Sequence, residues 1–218
     1  MTKIYLTIPN KKNYLREIKT EEGSIGVLPM KSLPFSLHLK STFTDQLVFE
    51  KEIEDNYLEV LRQSCISFAR NKLLDYLAKS EKTKYDCIVF LRRYQIPEFM
   101  IRDLVKWAEE QKYLSDERYA EMYIQEAMLS YKSANEIRFK LKQKRVDSVI
   151  IEKLLLNIYN REAELELLEQ YIEQMLNHEK EVNPKKLFER CATKLYRKGF
   201  KYDSFSRALA EKIDKKLD

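Results

Sequence analysis

The apolar positions along the chain fall into a stripe that occurs three times. In the middle copy Ile137, Leu141, Val146, Ile150, Ile151 and Leu155 recur at helical spacing once a break is allowed near Arg145. This stretch therefore reads as two short helices joined by a tight turn. Sliding the sequence by 50 residues places Cys87, Leu91, Ile96, Met100, Ile101, Leu104 and Val105 on Ile137, Leu141, Val146, Ile150, Ile151, Leu154 and Leu155. A shift of 54 places Cys191, Leu195, Phe200, Phe205 and Leu209 in the same frame. A period of this size marks helical units that cannot bury their apolar faces alone and stack to do so.

The polar positions repeat with the apolar ones. Thr83 with Asp86 and Ser133 with Glu136 match the capping box, in which hydroxyl and carboxylate each satisfy a backbone N–H left unpaired at a helix start. Asn183 followed by Pro184 opens the equivalent helix of the last copy. Pro97, Asp147, and Asp203 or a neighbour open the helix after the turn. Gly199 stands where a left-handed residue closes a helix, and Gln95 and Arg145 hold that place in the other copies. A longer helix leads each copy, over about 52–79, 116–131 and 162–178.

Near the N-terminus the period changes. Phe35, Leu37 and Leu39 alternate with Ser36, His38 and Lys40, which puts His38 on a polar face, and Tyr14 to Thr20 is rich in strand formers. The expected fold is mainly α: tandem three-helix repeats forming a curved helical array, with a small N-terminal β hairpin or ribbon. The expected divisions are a β-rich segment over 1–50 and repeats over 51–112, 113–160 and 161–218.

Composition agrees and narrows the chemistry. Three glycines and five prolines in 218 residues, a third of them charged, favour helices, and 44% apolar residues are enough for a core. No apolar run reaches the roughly 20 residues that cross a bilayer, and the basic-then-apolar layout of a signal peptide is missing from the N-terminus. A cytoplasmic monomer without a membrane partner is expected. Cys65, Cys87 and Cys191 stand far apart without CxxC spacing, and His38 and His178 are isolated. Neither metal, cofactor nor a Cys–His nucleophile is expected, and the cysteines read as small buried hydrophobes. Glu162, Glu164 and Glu166 sit where acidic residues ordinarily complement a helix dipole, and no phosphate-cradling loop or nucleophile motif is present. The chain does not read as an enzyme. Trp107 and the tyrosines Tyr123, Tyr131, Tyr159 and Tyr196 read as packing groups rather than base-stacking ones.

The net charge of +5 is modest, and its distribution is more informative. Positions 132–145 hold six Lys/Arg and one acid, and positions 185–201 hold seven and one. One such cluster is most simply a solvated face. Two in equivalent places of a repeat point to a polyanion or an acidic protein surface.

The stretch KYLSDERYA, Lys112 to Ala120, joins the first copy to the second. It resembles the corresponding segment of the RecX family of bacterial RecA regulators, matching at Tyr113, Leu114, Asp116, Arg118, Tyr119 and Ala120. The likeness spans 52–218 and is good over about 80–158. Two family glycines are replaced, by Lys112 and by Arg145. The resemblance implies a helical array that binds along the groove of a RecA–DNA filament and restrains its ATPase, strand-exchange and co-protease activities. That would place the chain in recombination control, DNA repair and the SOS response, without catalysis. The partner-facing residues on this reading are Lys132, Arg138, Lys140, Lys142, Lys144 and Arg145, supported by Arg92 and Arg93 in the first repeat and Lys194, Arg197, Lys198 and Lys201 in the third. The RecA filament is the expected protein partner, and single- or double-stranded DNA a further one. The alternative is a direct DNA-binding regulator of the helix-turn-helix type. Against it, the helix after the turn, Asp147 to Leu155, is mostly apolar with Lys153 its only cation.

Overall fold

The protein is described by a computed structural model over residues 1–9, 14–33, 37, 49–181 and 183–217. Ile4 and Leu6 alternate with polar neighbours in β1 (Thr2–Thr7), and Leu15 and Ile18 point inward from β2 (Leu15–Thr20). These strands join β3 (Gly23–Pro29) and β4 (Phe49–Ile53) in one antiparallel sheet of order β3-β2-β1-β4. The expected hairpin is thus the β2–β3 pair inside a larger sheet. The alternation over Phe35–Lys40, and His38 with it, lies outside the described residues except for Leu37, which is buried.

Residues 52 and 53, expected to begin the leading helix, belong instead to β4, which pairs with β1 from Thr2↔Ile53 to Leu6↔Phe49. Helix α1 starts two residues later and runs over Asp55–Leu77. The physical reason is local: Ile53 buries its side chain beside β1 while Glu50 reaches Lys3 across the strands. At the helix start the N-terminal ammonium and the Thr2 hydroxyl both donate to Asp55, at 3.3 and 2.6 Å.

The remaining helices follow in threes. The first repeat is completed by α2 (Lys84–Arg92) and α3 (Glu98–Glu110). The second is α4 (Asp116–Leu129), α5 (Ala134–Gln143) and α6 (Ser148–Ile158), and the third is α7 (Arg161–His178), α8 (Pro184–Arg197) and α9 (Tyr202–Leu217). The chain forms two compact units, 1–115 and 116–218. In the first, the sheet and α1–α3 share one core. Helix α1 approaches β3 at Gly26, where an added Cβ would stand 2.5 Å from the Cys65 Cβ. Burial pushes the Cys65 thiol up to about 12, so it packs and does not react. In the second unit Ile124, Ile137, Leu141, Ile151, Leu155, Ile172, Leu195, Phe205 and Leu209 form a separate core.

The capping residues act as their positions imply. The Thr83 and Ser133 hydroxyls accept from the Asp86 and Glu136 N–H groups at 3.1 and 3.2 Å, Asp147 accepts from Val149 at 2.7 Å, and Asn183 accepts from Lys186 at 3.1 Å. The turns are closed by residues with left-handed backbone: Gln95 (φ 60°), Arg145 (φ 57°) and Gly199 (φ 87°), with Lys112 (φ 60°) and Tyr131 (φ 54°) ending α3 and α4. Behind four of them a backbone N–H bonds five residues back, as in Tyr113→Ala108, Lys132→Ala127, Val146→Leu141 and Phe200→Leu195, the Schellman arrangement. Lys112 and Arg145 therefore hold, at a steric cost, a backbone conformation that glycine adopts freely.

Two substitutions at equivalent turns should act in opposite directions. Arg145→Gly relieves a left-handed side chain at some entropic cost and should stabilise by about 0.5 kcal/mol. Gly199→Ala places a Cβ 2.6 Å from the Ser133 Oγ, and should destabilise by about 2 kcal/mol. Urea unfolding midpoints measure both. Equal shifts at the two positions would contradict this account of the turns.

Candidate basic docking surface

Helix α5 buries Ile137 and Leu141 and turns Lys140 and Lys142 to solvent. Its cations gather in the last turn, where they also complement the negative end of the helix dipole. Lys140 lies 5.6 Å from the centre of the exposed Phe139 ring. Lys144 is half-buried and Arg145 exposed at the turn that follows. In the third repeat Arg197 and Lys201 are exposed, as Arg93 is in the first.

Three of the expected docking cations are already engaged by carboxylates. Arg138 grips Glu152 of α6 with two bonds of 2.7 and 2.9 Å, while its third nitrogen donates to Asn135. Arg92 grips Glu98 in the same two-pronged way at 2.6 and 3.0 Å. Lys194 donates to Glu179 at 2.6 Å. Glu179 also faces Arg190 at 3.4 Å, and its side chain is only 10% exposed. Lys194 first, with Arg190 and Lys216 adding to it, holds this carboxyl below its ordinary range. Nothing in the residue pattern signals these pairs, because their partners sit on neighbouring helices or loops and become adjacent only on folding.

The end of α8 meets the start of α5, so the basic stretch of the third repeat reaches that of the second at Lys132. The Ser133 N–H at the start of α5 donates to the Lys198 carbonyl at the end of α8, at 3.0 Å. Lys198 Nζ donates to the Ser130 carbonyl at 2.6 Å and lies 5.4 Å from the Tyr171 ring centre, and Tyr171 stacks on Tyr131. The Lys132 carbonyl accepts from the buried Tyr159 hydroxyl at 2.9 Å. Glu164, expected to serve only its own helix dipole, accepts from the Ala134 N–H at 2.9 Å and so caps α5 from α7. Gly199 is required here as much for the space its missing side chain leaves over Ser133 as for its backbone angle. Lys132 and Lys198 are both half-buried at this joint.

Cys87 and Cys191 are buried, and among the described residues no group of three His, Cys, Asp or Glu side chains could hold a metal ion. Among the described residues no helix is long and apolar enough to cross a membrane. Tyr159 is buried and Tyr131 and Tyr123 pack on other rings, while Tyr196 is exposed beside Phe205. Trp107 packs against Tyr113 with Arg70 4.8 Å from its ring centre.

Residues 115–155 match the family model described as RecX, second three-helix domain. The chain is 30% identical over 154 residues to a regulatory protein RecX of Caldanaerobacter subterraneus subsp. tengcongensis, spanning 71% of this chain and 72% of that one. A regulatory protein RecX of Clostridium acetobutylicum is 23% identical over 88% of this chain and 92% of its own length. A crystal structure of regulatory protein RecX aligns with a TM-score of 0.58, at 18% identity, over 94% of this chain and 98% of that one.

The Glu179 cluster sets a pH dependence. A carboxyl held low in the folded state binds fewer protons than its unfolded counterpart between the two pKa values, so stability rises with pH through that window. The contribution is present above the ordinary carboxylate value of about 4.3 and is lost as pH falls through the folded value. Lys194→Gln should flatten this acid limb in urea midpoints taken from pH 7 to pH 3. An acid limb as steep as that of the unsubstituted protein would remove Lys194 as its cause.

Proposed function

Since the chain belongs to the RecX family, we propose that it is a regulator that binds RecA–DNA filaments and restrains their ATPase, strand-exchange and co-protease activities. The work is done by charge complementarity on a helical surface, without catalysis. One observation supports this reading: the Ser133 N–H at the start of α5 donates to the Lys198 carbonyl at the end of α8, so the basic segments of two repeats are joined within the second unit. Lys140, Lys142, Lys144 and Arg145 supply the α5 segment, and Arg197, Lys198 and Lys201 the α8 segment, with Lys132 at the joint. Arg93 adds charge in the first repeat. Arg92, Arg138 and Lys194, held by Glu98, Glu152 and Glu179, shape the helices that present the rest.

A filament on DNA offers regularly spaced negative charge, and a surface of fixed cation spacing suits it. Neutralising phosphates releases counterions, so such binding weakens steeply with salt. DNA is a further partner for the same cations. The helix-turn-helix alternative, which would insert α6 into a major groove, is poorly supported. Lys153, the cation of α6, is bonded to Glu117 at 2.8 Å, while Val149 and Leu156 face solvent.

Reversing Lys140, Lys142 and Lys144 to Glu should weaken inhibition of RecA ATPase by at least tenfold at moderate salt, with circular dichroism unchanged. Co-sedimentation with RecA filaments and with bare DNA across a salt series separates filament binding from DNA binding. Undiminished inhibition by the reversed variant would remove this surface from the mechanism.

A further inference from the structure

A cleft of about 340 Å³ opens in the first unit where α1, the first turn of α3 and the turn from β2 to β3 come together. Its volume is at the lower end of the roughly 300–1,000 Å³ typical of small-molecule sites. Glu59, Arg62, Gln63 and Ile66 line it from α1 at spacings of three and four residues, so one face of that helix forms a wall. Phe99 lines it from α3, and Glu22 from the turn between the strands.

Both signs of charge line this cleft without pairing. Arg62 is half-buried, and among the described residues its guanidinium has no hydrogen-bond, ion-pair or ring partner. Glu59, three residues earlier on the same helix face, accepts from Gln63 Nε2 at 2.8 Å instead. Glu22 likewise has no partner among the described residues. Opposite charges on one cleft attract even through water, and more strongly where the walls exclude it, so they ordinarily close on each other. Here they stand apart. Beside them the lining is apolar: Ile66 is half-buried, and Phe99 keeps 47% of its surface exposed in the first turn of α3. Pro97 gives that turn no side-chain cap, so the positive end of α3 adds to the charge of Arg62.

We propose that this cleft binds the α-carboxylate of an apolar amino-acid residue. The planar fork of Arg62 matches the two oxygens of a carboxylate. Glu59 and Glu22 accept from the nitrogen that an amino-acid residue carries next to that group, and the apolar side chain packs on Ile66 and Phe99. A purely anionic ligand such as phosphate would face two glutamates, and a purely cationic one would face Arg62. A ligand with a carboxylate and an N–H donor on neighbouring atoms satisfies both. The inference goes beyond the filament reading and does not rest on it, because the cleft lies in the first unit and the basic segments of α5 and α8 lie in the second.

The test is titration of the full ¹⁵N-labelled chain with phenylalanine and with diglycyl-phenylalanine, each as the free acid and as the carboxyl amide, following the Gly23, Ile66 and Phe99 amides. At least one free acid should shift these three together and saturate, and its carboxyl amide should bind at least tenfold more weakly. Tighter binding of the tripeptide assigns the carboxylate to the end of a polypeptide. Tighter binding of phenylalanine, lost on N-acetylation, assigns it to a free amino acid, and either result supports the cleft as a carboxylate site. Arg62→Gln should weaken the half-saturation point by at least tenfold, and Arg62→Lys, which keeps the charge and loses the fork, by an intermediate factor. Phe99→Ala should weaken it severalfold. Lys106→Gln removes a 77% exposed charge from α3 outside the lining and should weaken it by less than twofold. Because Arg62 makes no bond to the fold among the described residues, circular dichroism of Arg62→Gln should be unchanged. Equal binding of acid and amide would remove the carboxylate from the recognition and overturn the inference. So would equal effects of Arg62→Gln and Lys106→Gln, or a failure of both free acids to saturate.

Discussion

Everything in the helical part of this protein depends on how its short helices end. An apolar stripe of two or three turns cannot be buried by a helix that runs on into solvent, so each helix must stop and let the next fold back over the same core. The left-handed residues at 95, 145 and 199 supply that reversal. The buried residue after each, Ile96, Val146 and Phe200, then anchors the turn in the core. Burying a side chain of that size is worth about 2 kcal/mol, more than a partly exposed ion pair contributes. The stripes and turns thus set the architecture, and pairs such as Arg138–Glu152 only adjust the angle at which neighbouring helices meet.

This hierarchy explains what could be read from the residues alone. The stripe, the caps at Thr83, Ser133, Asp147 and Asn183 and the three closing turns are local patterns, each complete within about fifteen residues, and all of them stand in the folded chain. The short strands were harder. Among the described side chains of β4 Ile53 alone is buried, and its partner β1 lies some fifty residues away, so the same residues could pass for the start of α1. The arginine pairings were invisible for a related reason. A basic residue looks the same in sequence whether it faces solvent or a glutamate on the next helix. The existence of the charged stretches was legible, and which of their cations are gripped by carboxylates was not.

The joint between α8 and α5 illustrates the limit most clearly. Gly199 was legible as a helix-closing residue, and that explains its backbone angle. Its second constraint, the lack of room for a Cβ over Ser133, arises from a contact between repeats that no periodicity encodes. Glu164 behaves alike: as an acid in the first turn of α7 it looks like a dipole partner, yet it caps α5. Residues that join repeats are chosen by geometry across the array, and a repeat pattern describes each unit without describing its seams.

The seam also bears on how a basic surface can recognise its partner. Lysines on separate flexible elements would gain Coulomb energy from any polyanion and lose side-chain and segmental entropy on each contact. Cations carried on two helices whose ends are bonded together keep their spacing before binding, so less freedom is lost and the spacing itself becomes selective. Discrimination on such a surface comes less from the amount of positive charge than from where the fold prevents that charge from relaxing.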